Sequence, residues 1–278
     1  MNAEFLPTLK TMGLTDWPFQ KAPTPQALFR FQALDELQAR LTFARALHGI
    51  ALVTGDPGSG KSTALRLFLT GRDERTSPVV YLADSRLTPA EFYARVLDHF
   101  GVPFGQTQSQ RRRQFQALMA DIGEGQQKDV TLIIDEAHEL NPEMVQELRY
   151  VQNLHLDAQS PCTLILCGQS EIRAQLRLRS FEAVAQRITV RAHLPGLSRE
   201  QTQGFVRHAL RQVGAERPLF TDGAVDSLHT ASRGLMRLIA SLATHALLDA
   251  ALQNQELVDE PNVQRAVQDI VEGGAVHV

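Results

Sequence analysis

The 278-residue chain reads as an α/β protein. It predicts an open parallel sheet with helices on both faces, followed by a small all-helical domain. Three observations predict this. Short apolar runs such as Ile50–Thr54 lack polar alternation and are too short for helices, so they read as strands buried on both faces. Such runs alternate with stretches of helical period, the pattern of parallel strands joined by crossover helices. After Pro195 the strand-like runs stop and helical patterns alone continue.

Each element follows from local chemistry. The first thirty residues carry Pro7, Pro18, Pro23 and Pro25 with Trp17 and Phe19, and prolines this dense block a long helix. Leu34, Leu37, Leu41, Ala44 and Leu47 recur at three- and four-residue steps, which predicts a helix over about 34–48 with one apolar stripe. The strand at 50–54 runs into a glycine-rich loop, and a helix follows over about 61–70. Residues 79–83 form the second buried run. Thr88-Pro89-Ala90-Glu91 opens a helix: threonine caps it, proline suits its first turn, and Glu91 closes a capping box. Strands follow at 130–134, 163–167 and 188–194, with helical stretches between them, one opened by Asn141-Pro142. Ser198 caps a helix to about 213, and helices read near 222–231, 235–253 and 261–271.

Composition sets limits. The hydrophobic share of 43% and charged share of 21% are those of an ordinary soluble protein. No apolar run approaches the roughly 18 residues that cross a bilayer, and the N-terminus has no basic stretch leading into an apolar core. A cytoplasmic protein without a membrane span is expected. Cys162 and Cys167 lack metal-ligand spacing and read as buried thiols in a reducing compartment. The formal net charge of -3 neither supports nor excludes nucleic acid as a partner.

Three places carry chemistry. Gly55-Asp56-Pro57-Gly58-Ser59-Gly60-Lys61-Ser62 fits GxxxxGK[ST] between a buried strand and a helix. Its glycines let successive N–H groups face phosphate oxygens, and the helix start adds positive charge. Lys61 reaches the β- and γ-phosphates of ATP, and Ser62 places a hydroxyl on Mg²⁺. The second place is the strand end Asp135-Glu136: Asp135 holds Mg²⁺ through water, and Glu136 orients and deprotonates the attacking water. The string Asp135-Glu136-Ala137-His138 is similar to a helicase box, a reading set aside because the chain has room for one nucleotide-binding sheet. The third is Gln169, after another strand, placed to contact the γ-phosphate and the water.

Arginines supply the remaining roles. Arg187, just before the fifth strand, is the candidate to reach a neighbouring subunit's γ-phosphate, with Arg177 and Arg179 as competitors. Arg237 opens a lid helix and is placed to report ATP occupancy. Arg111, Arg112, Arg113, Arg173, Arg177 and Arg179 are candidates for DNA phosphates, with solvated surface charge as the plain alternative. No Asn-Lys-x-Asp guanine-reading motif is present, so ATP is expected over GTP.

In this order, the pieces resemble the AAA+ superfamily, and within it the ExeA-like group. The resemblance covers nearly the whole chain. It is carried by Gly13-Leu14, Trp17-Pro18-Phe19, residues 55–63 and 134–140, Cys167-Gly168-Gln169 with Glu171, and Gln186-Arg187-Ile188. Leu194-Pro195, Leu197-Ser198-Arg199-Glu200 and residues 234–239 complete it. It implies an ATP hydrolase with nucleotide contacts from Gly55 through Thr63 and at Arg237. It also implies an N-terminal segment and helix over 1–48, a P-loop ATPase core over 49–195 and a helical lid over 196–278. Long members of the group, with a membrane helix and a cell-wall-binding domain, help assemble secretion machinery. Stand-alone members resemble TnsC, TniB and MuB, the ATPases that accompany DDE transposases. Those assemble as ATP-bound oligomers on double-stranded DNA and hand over a target site. With no membrane helix or extra domain in the sequence, the expectation is a transposition regulator that forms a homo-oligomer, ring or helical filament. The alternatives are a secretion-assembly ATPase and an ATP-gated scaffold with incidental turnover. A small-molecule kinase is disfavoured by the lid and Arg237.

Overall fold

A computed structural model describes residues 10, 12–19, 23–83, 86–153 and 160–272. Pro7 of the irregular N-terminal stretch lies outside the described residues. Five strands form one sheet: β1 (Ile50–Thr54), β2 (Val79–Leu82), β3 (Thr131–Ile134), β4 (Thr163–Gly168) and β5 (Ile188–His193). Their order is β2-β3-β4-β1-β5, and every pairing is parallel. The sheet predicted from the apolar runs is therefore present. β1, β3 and β4 are buried at every position, whereas edge strand β5 alternates buried and exposed. A strand in the middle of a sheet covered on both faces needs apolar side chains on both, which is why its sequence shows no alternation.

Helix α1 (Gln32–Ala46) precedes β1, and the helices between strands are α2 (Lys61–Leu69), α3 (Pro89–His99), α4 (Gln108–Ala120) and α5 (Pro142–Val151), with short α6 (Glu171–Gln175) and α7 (Glu182–Ala185). The predicted caps are in place. Thr88 and Glu91 form a reciprocal capping box, and Asn141 accepts from the Met144 N–H. The predicted helix at 34–48 begins and ends two residues earlier, at Gln32 and Ala46. His48 then takes a left-handed conformation, φ 47°, which no helix continues through.

The chain forms two compact units. One comprises Leu34–Gly55 and Ala64–Leu194; the other comprises Met1–Ala33, Asp56–Thr63 and Pro195–Val278. The first unit holds the sheet and a continuous core in which Leu132, Ile134, Leu164 and Leu166 meet Phe92, Tyr93 and Phe115. The second holds α8 (Arg199–Arg211), α9 (Asp222–Ser232), α10 (Met236–Leu252) and α11 (Glu260–Glu272). Ser198 closes a capping box at the start of α8. The N-terminal segment packs within this unit: the Thr15 N–H donates to the Val213 carbonyl at 2.8 Å, and Phe19 and Phe29 meet Phe205 at 5.7 and 5.9 Å between ring centres. Phe29 lies over Gly204, where a Cβ would stand 3.1 Å from the ring. Among the described residues, no helix is long and apolar enough to cross a membrane.

One buried charge organises the first unit. Glu147, 4% exposed, accepts from the Tyr93 hydroxyl at 2.8 Å and from Arg112 at 2.6 Å. Burial, followed by the Glu147 charge, pushes the Tyr93 phenol well above its usual range, so it remains a donor. Arg112 also stacks on Tyr150 at 4.3 Å. Removing one partner leaves a buried charge uncompensated. Arg112→Ala should therefore lower stability in urea denaturation by about 3 kcal/mol. Arg113→Ala, at an exposed position, should change it by less than about 0.5 kcal/mol.

Candidate functional site

The phosphate loop is built around two glycines. Gly58 has φ +86° and Gly60 φ +99°, a region that side chains rarely adopt. The Ser59 N–H donates to the Asp56 carbonyl at 3.1 Å, and the Lys61 ammonium donates to the same oxygen at 3.1 Å. Lys61 is buried, and α2 begins at it, so the first-turn N–H groups and the ammonium lie on one short stretch of chain. The Ser59 hydroxyl is buried and has no hydrogen-bond partner among the described residues. An orphaned donor in a positive-φ glycine loop at a helix start suits a phosphate.

Helix α10 meets this loop. The Arg237 N–H, one of the unpaired donors of the first turn of α10, donates to the Gly58 carbonyl at 3.1 Å. A Cβ added at Gly58 would stand 2.9 Å from the Cβ of Arg237. Gly58 is thus required twice, once for its backbone angle and once for the close approach of α10. The turn before α10 is equally tight: Gly234, at φ +76°, presses against Leu197, whose N–H donates to the Gly234 carbonyl at 2.8 Å. The Arg237 residue is exposed.

The acidic residues sit at the end of β3. Asp135 is buried and accepts from the Glu136 N–H at 2.9 Å and from the hydroxyl of Tyr81 on β2. Burial, then the bond to Asp135, pushes the Tyr81 phenol far above its usual range, so it acts as a donor to the carboxylate. Glu136 takes the left-handed conformation, φ 50° and ψ 36°, and its side chain is 49% exposed. That conformation is costly for a residue with a long side chain. It turns the chain sharply, leaving one carboxylate buried and the next facing solvent.

Gln169 and His138 complete this cluster. The Gln169 amide nitrogen lies 3.0 Å from His138 Nε2, and the Gln169 N–H lies 3.4 Å from Nδ1. The same Nδ1 is 3.5 Å from a Glu136 carboxylate oxygen. Gly168 makes room: a Cβ there would stand 3.0 Å from the His138 backbone nitrogen. Asp135, Glu136 and Gln169 are therefore gathered with two residues that sequence reasoning did not select, Tyr81 and His138. The string Asp135 to His138 carried a signal for the histidine, whereas Tyr81 shows itself only through the β2–β3 register.

The arginines divide into two kinds. Arg111 donates to the carbonyls of Gly105 and Ala90 at 2.8 and 3.0 Å, and Arg112 is held by Glu147. Both are tied into the fold, which leaves Arg113 exposed from that run. Arg173, Arg177 and Arg179 are exposed. Arg177 and Arg179 line an open hollow of about 500 Å³ with Arg191, Gln186 and Glu182. Arg187 is half-buried directly before β5.

Residues 44–176 match a family described as an AAA domain. Over 263 residues the chain is 30% identical to General secretion pathway protein A of Aeromonas hydrophila, covering 93% of the chain and 47% of that protein. The chain therefore spans about half the length of this curated relative. The relative agrees with the resemblance to the ExeA-like group. Among solved structures, Cdc6p of Pyrobaculum aerophilum aligns with TM-score 0.65 at 14% identity, over 92% of this chain and 70% of that one. The ORC2 protein of Aeropyrum pernix aligns with TM-score 0.59 at 14% identity, over 96% and 74%. A Holliday junction branch migration motor, RuvB of Thermotoga maritima, aligns with TM-score 0.54 at 16% identity, over 90% and 72%. The parallel sheet, the phosphate loop and the helical C-terminal region together have the α/β P-loop AAA+ fold.

Proposed function

We propose that the chain binds ATP with Mg²⁺, hydrolyses it, and uses the nucleotide to switch the assembly of an oligomer of its own copies. The observation that carries this reading is the turn after β3, where a buried, doubly hydrogen-bonded Asp135 is followed by a solvent-facing Glu136. In this reading, Lys61 and the N–H groups of residues 55–63 hold the phosphates. Mg²⁺, when bound, neutralises charge on the β- and γ-phosphates; the Ser62 hydroxyl and, through water, Asp135 would hold it. Glu136 accepts a proton from the attacking water, whose oxygen bonds to the γ-phosphorus as the β–γ bridging oxygen departs with ADP. Gln169 positions the water and the γ-phosphate. Arg187, or Arg177 or Arg179 from the exposed hollow, serves a neighbouring copy's γ-phosphate.

Lys61→Ala should abolish ATP binding in calorimetric titration, and unchanged affinity would remove the basis of this reading. Glu136→Gln should bind ATP normally while phosphate release falls about 100-fold or more. Gly58→Ala should weaken ATP affinity about 5- to 150-fold, because strain of about 1–3 kcal/mol falls on the loop and on the first turn of α10 together.

Two cellular roles fit an ATP-switched oligomer. The likeness to a general secretion pathway protein favours assembly of envelope machinery. The exposed Arg173, Arg177 and Arg179 favour a second role: an oligomer on double-stranded DNA that regulates transposition or target-site choice by a partner DDE transposase. Electron microscopy of Glu136→Gln with ATP, with and without duplex DNA, separates them. ATP-dependent oligomers are expected in both samples, and monomers throughout would sink the switch. Binding to the duplex that weakens steeply with salt, and is lost in Arg177→Glu/Arg179→Glu, would establish the DNA role; oligomers indifferent to DNA would remove it.

A further inference from the structure

We propose that the second unit carries a self-complementary docking patch, in which a basic-rimmed groove beside α8 receives Leu257 and its neighbouring carboxylates from a second copy of this chain. Groove and protrusion both belong to this unit, so the contact needs no nucleotide.

The groove lies between α8 and the 215–220 segment, a hollow of about 50 Å³. Its floor is apolar, from Val206, Leu210, Leu219 and Phe220. Such a volume holds a few waters or the branched end of one aliphatic side chain. Arg207 and Arg211 stand on the rim one helical turn apart, and both are exposed. Among the described residues, neither guanidinium has a hydrogen-bond or ion-pair partner. On the opposite rim Glu216 is exposed, and Arg217 donates to Glu256 at 2.9 Å. The unpaired positive charge therefore runs along α8. The apolar floor and the carboxylates of Glu216 and Glu256 make this a poor seat for a nucleic-acid backbone. They suit an apolar side chain with carboxylates on the side that meets α8.

Such a group stands beside the groove in the same chain. The Val258 N–H donates to the Leu219 carbonyl at 2.7 Å, and the Thr221 N–H donates to the Val258 carbonyl at 3.0 Å. The segment bearing Leu257 is thus fastened to the groove's own wall. Val258 is fully buried, and side chains alternate along paired extended backbone, so Leu257 faces outward, 42% exposed. Glu256 and Glu260 beside it are exposed, and half-buried Asp259 adds a third carboxylate. Leu257 does not line the groove of its own copy. Two complementary features side by side on one surface are matched by a two-fold axis, which sets each protrusion against the partner's groove. Leu257 then displaces water from an apolar floor, and its neighbouring carboxylates meet the unpaired Arg207 and Arg211. A groove that admits one side chain gives a weak pair, with a Kd of about 10–500 µM.

Sedimentation of the nucleotide-free protein across that concentration range tests this. Wild type should pass from monomer towards dimer as concentration rises. Leu257→Lys and the double variant Arg207→Glu/Arg211→Glu should each weaken association at least about tenfold, because each sets like charges against one another. Mixed in equal amounts, the two variants should associate again. In the mixed pair, native Leu257 meets a native groove, and the introduced lysine meets the introduced glutamates. Thermal midpoints establish that each variant is folded, and recovery on mixing cannot arise from unfolded chains. A wild type that stays monomeric throughout overturns the proposal and leaves the groove to an acidic segment of a different protein. Variants that associate as wild type does, or a mixture that associates no more than its components, overturn it as well.

Discussion

Three parallel strands buried at every position dominate the sheet unit, and they dictate where its chemistry can be. β1, β3 and β4 present apolar or small side chains to both faces, so nothing ionisable can sit along them without an unpaired charge in the core. Polar groups are therefore confined to the strand ends. Asp135 and Glu136 follow the last residue of β3, Gln169 follows the last residue of β4, and Thr54 closes β1 with a hydroxyl donating to the Ala192 carbonyl at 3.2 Å. Because all the strands run the same way, these ends gather at one edge of the sheet. The ladder then sets their relative heights. Ile134 pairs with Leu166, and Tyr81 on β2 lies opposite Ile133, which brings its hydroxyl to Asp135.

The two acids need opposite environments, and a single backbone turn provides both. Asp135 is buried but keeps two donors, the Tyr81 hydroxyl and the Glu136 N–H. Glu136 is turned outward by its left-handed conformation. Backbone conformations of this kind cost of order 1–3 kcal/mol. The cost is retained where it separates a carboxylate suited to holding a cation from one suited to meeting water.

Local signals made much of this legible from sequence, and distant contacts did not. Buried strands announced themselves by unbroken apolar runs, and helix starts by Thr88, Asn141 and Ser198, whose side chains all cap as their positions imply. These are effects within four residues. The phosphate loop was legible for the same reason, since its spacing is its mechanism. Arg112 was not. It reads as one of three adjacent surface arginines, but its partner Glu147 lies 35 residues away on another helix. A charge run takes its meaning from what packs beneath it. The positions of Tyr81 and His138 also depend on register and on a turn that no propensity predicts, because a left-handed glutamate opposes its own local preference.

The contact between α10 and the phosphate loop is made by backbone. The Arg237 N–H reaches the Gly58 carbonyl, and its Cβ crowds Gly58. Neither contact uses the guanidinium, so the first turn of α10 reads the shape of the loop whether or not that charge touches a ligand. A net backbone hydrogen bond contributes about 1 kcal/mol. A ligand at a hundred times its dissociation constant stabilises the state it binds by about 2.7 kcal/mol. A phosphate that orders the loop therefore commands more free energy than the hydrogen bond holding α10 to it. Gly58 meets both demands of this contact, because a side chain there would strain at φ +86° and would stand 2.9 Å from the Cβ of Arg237.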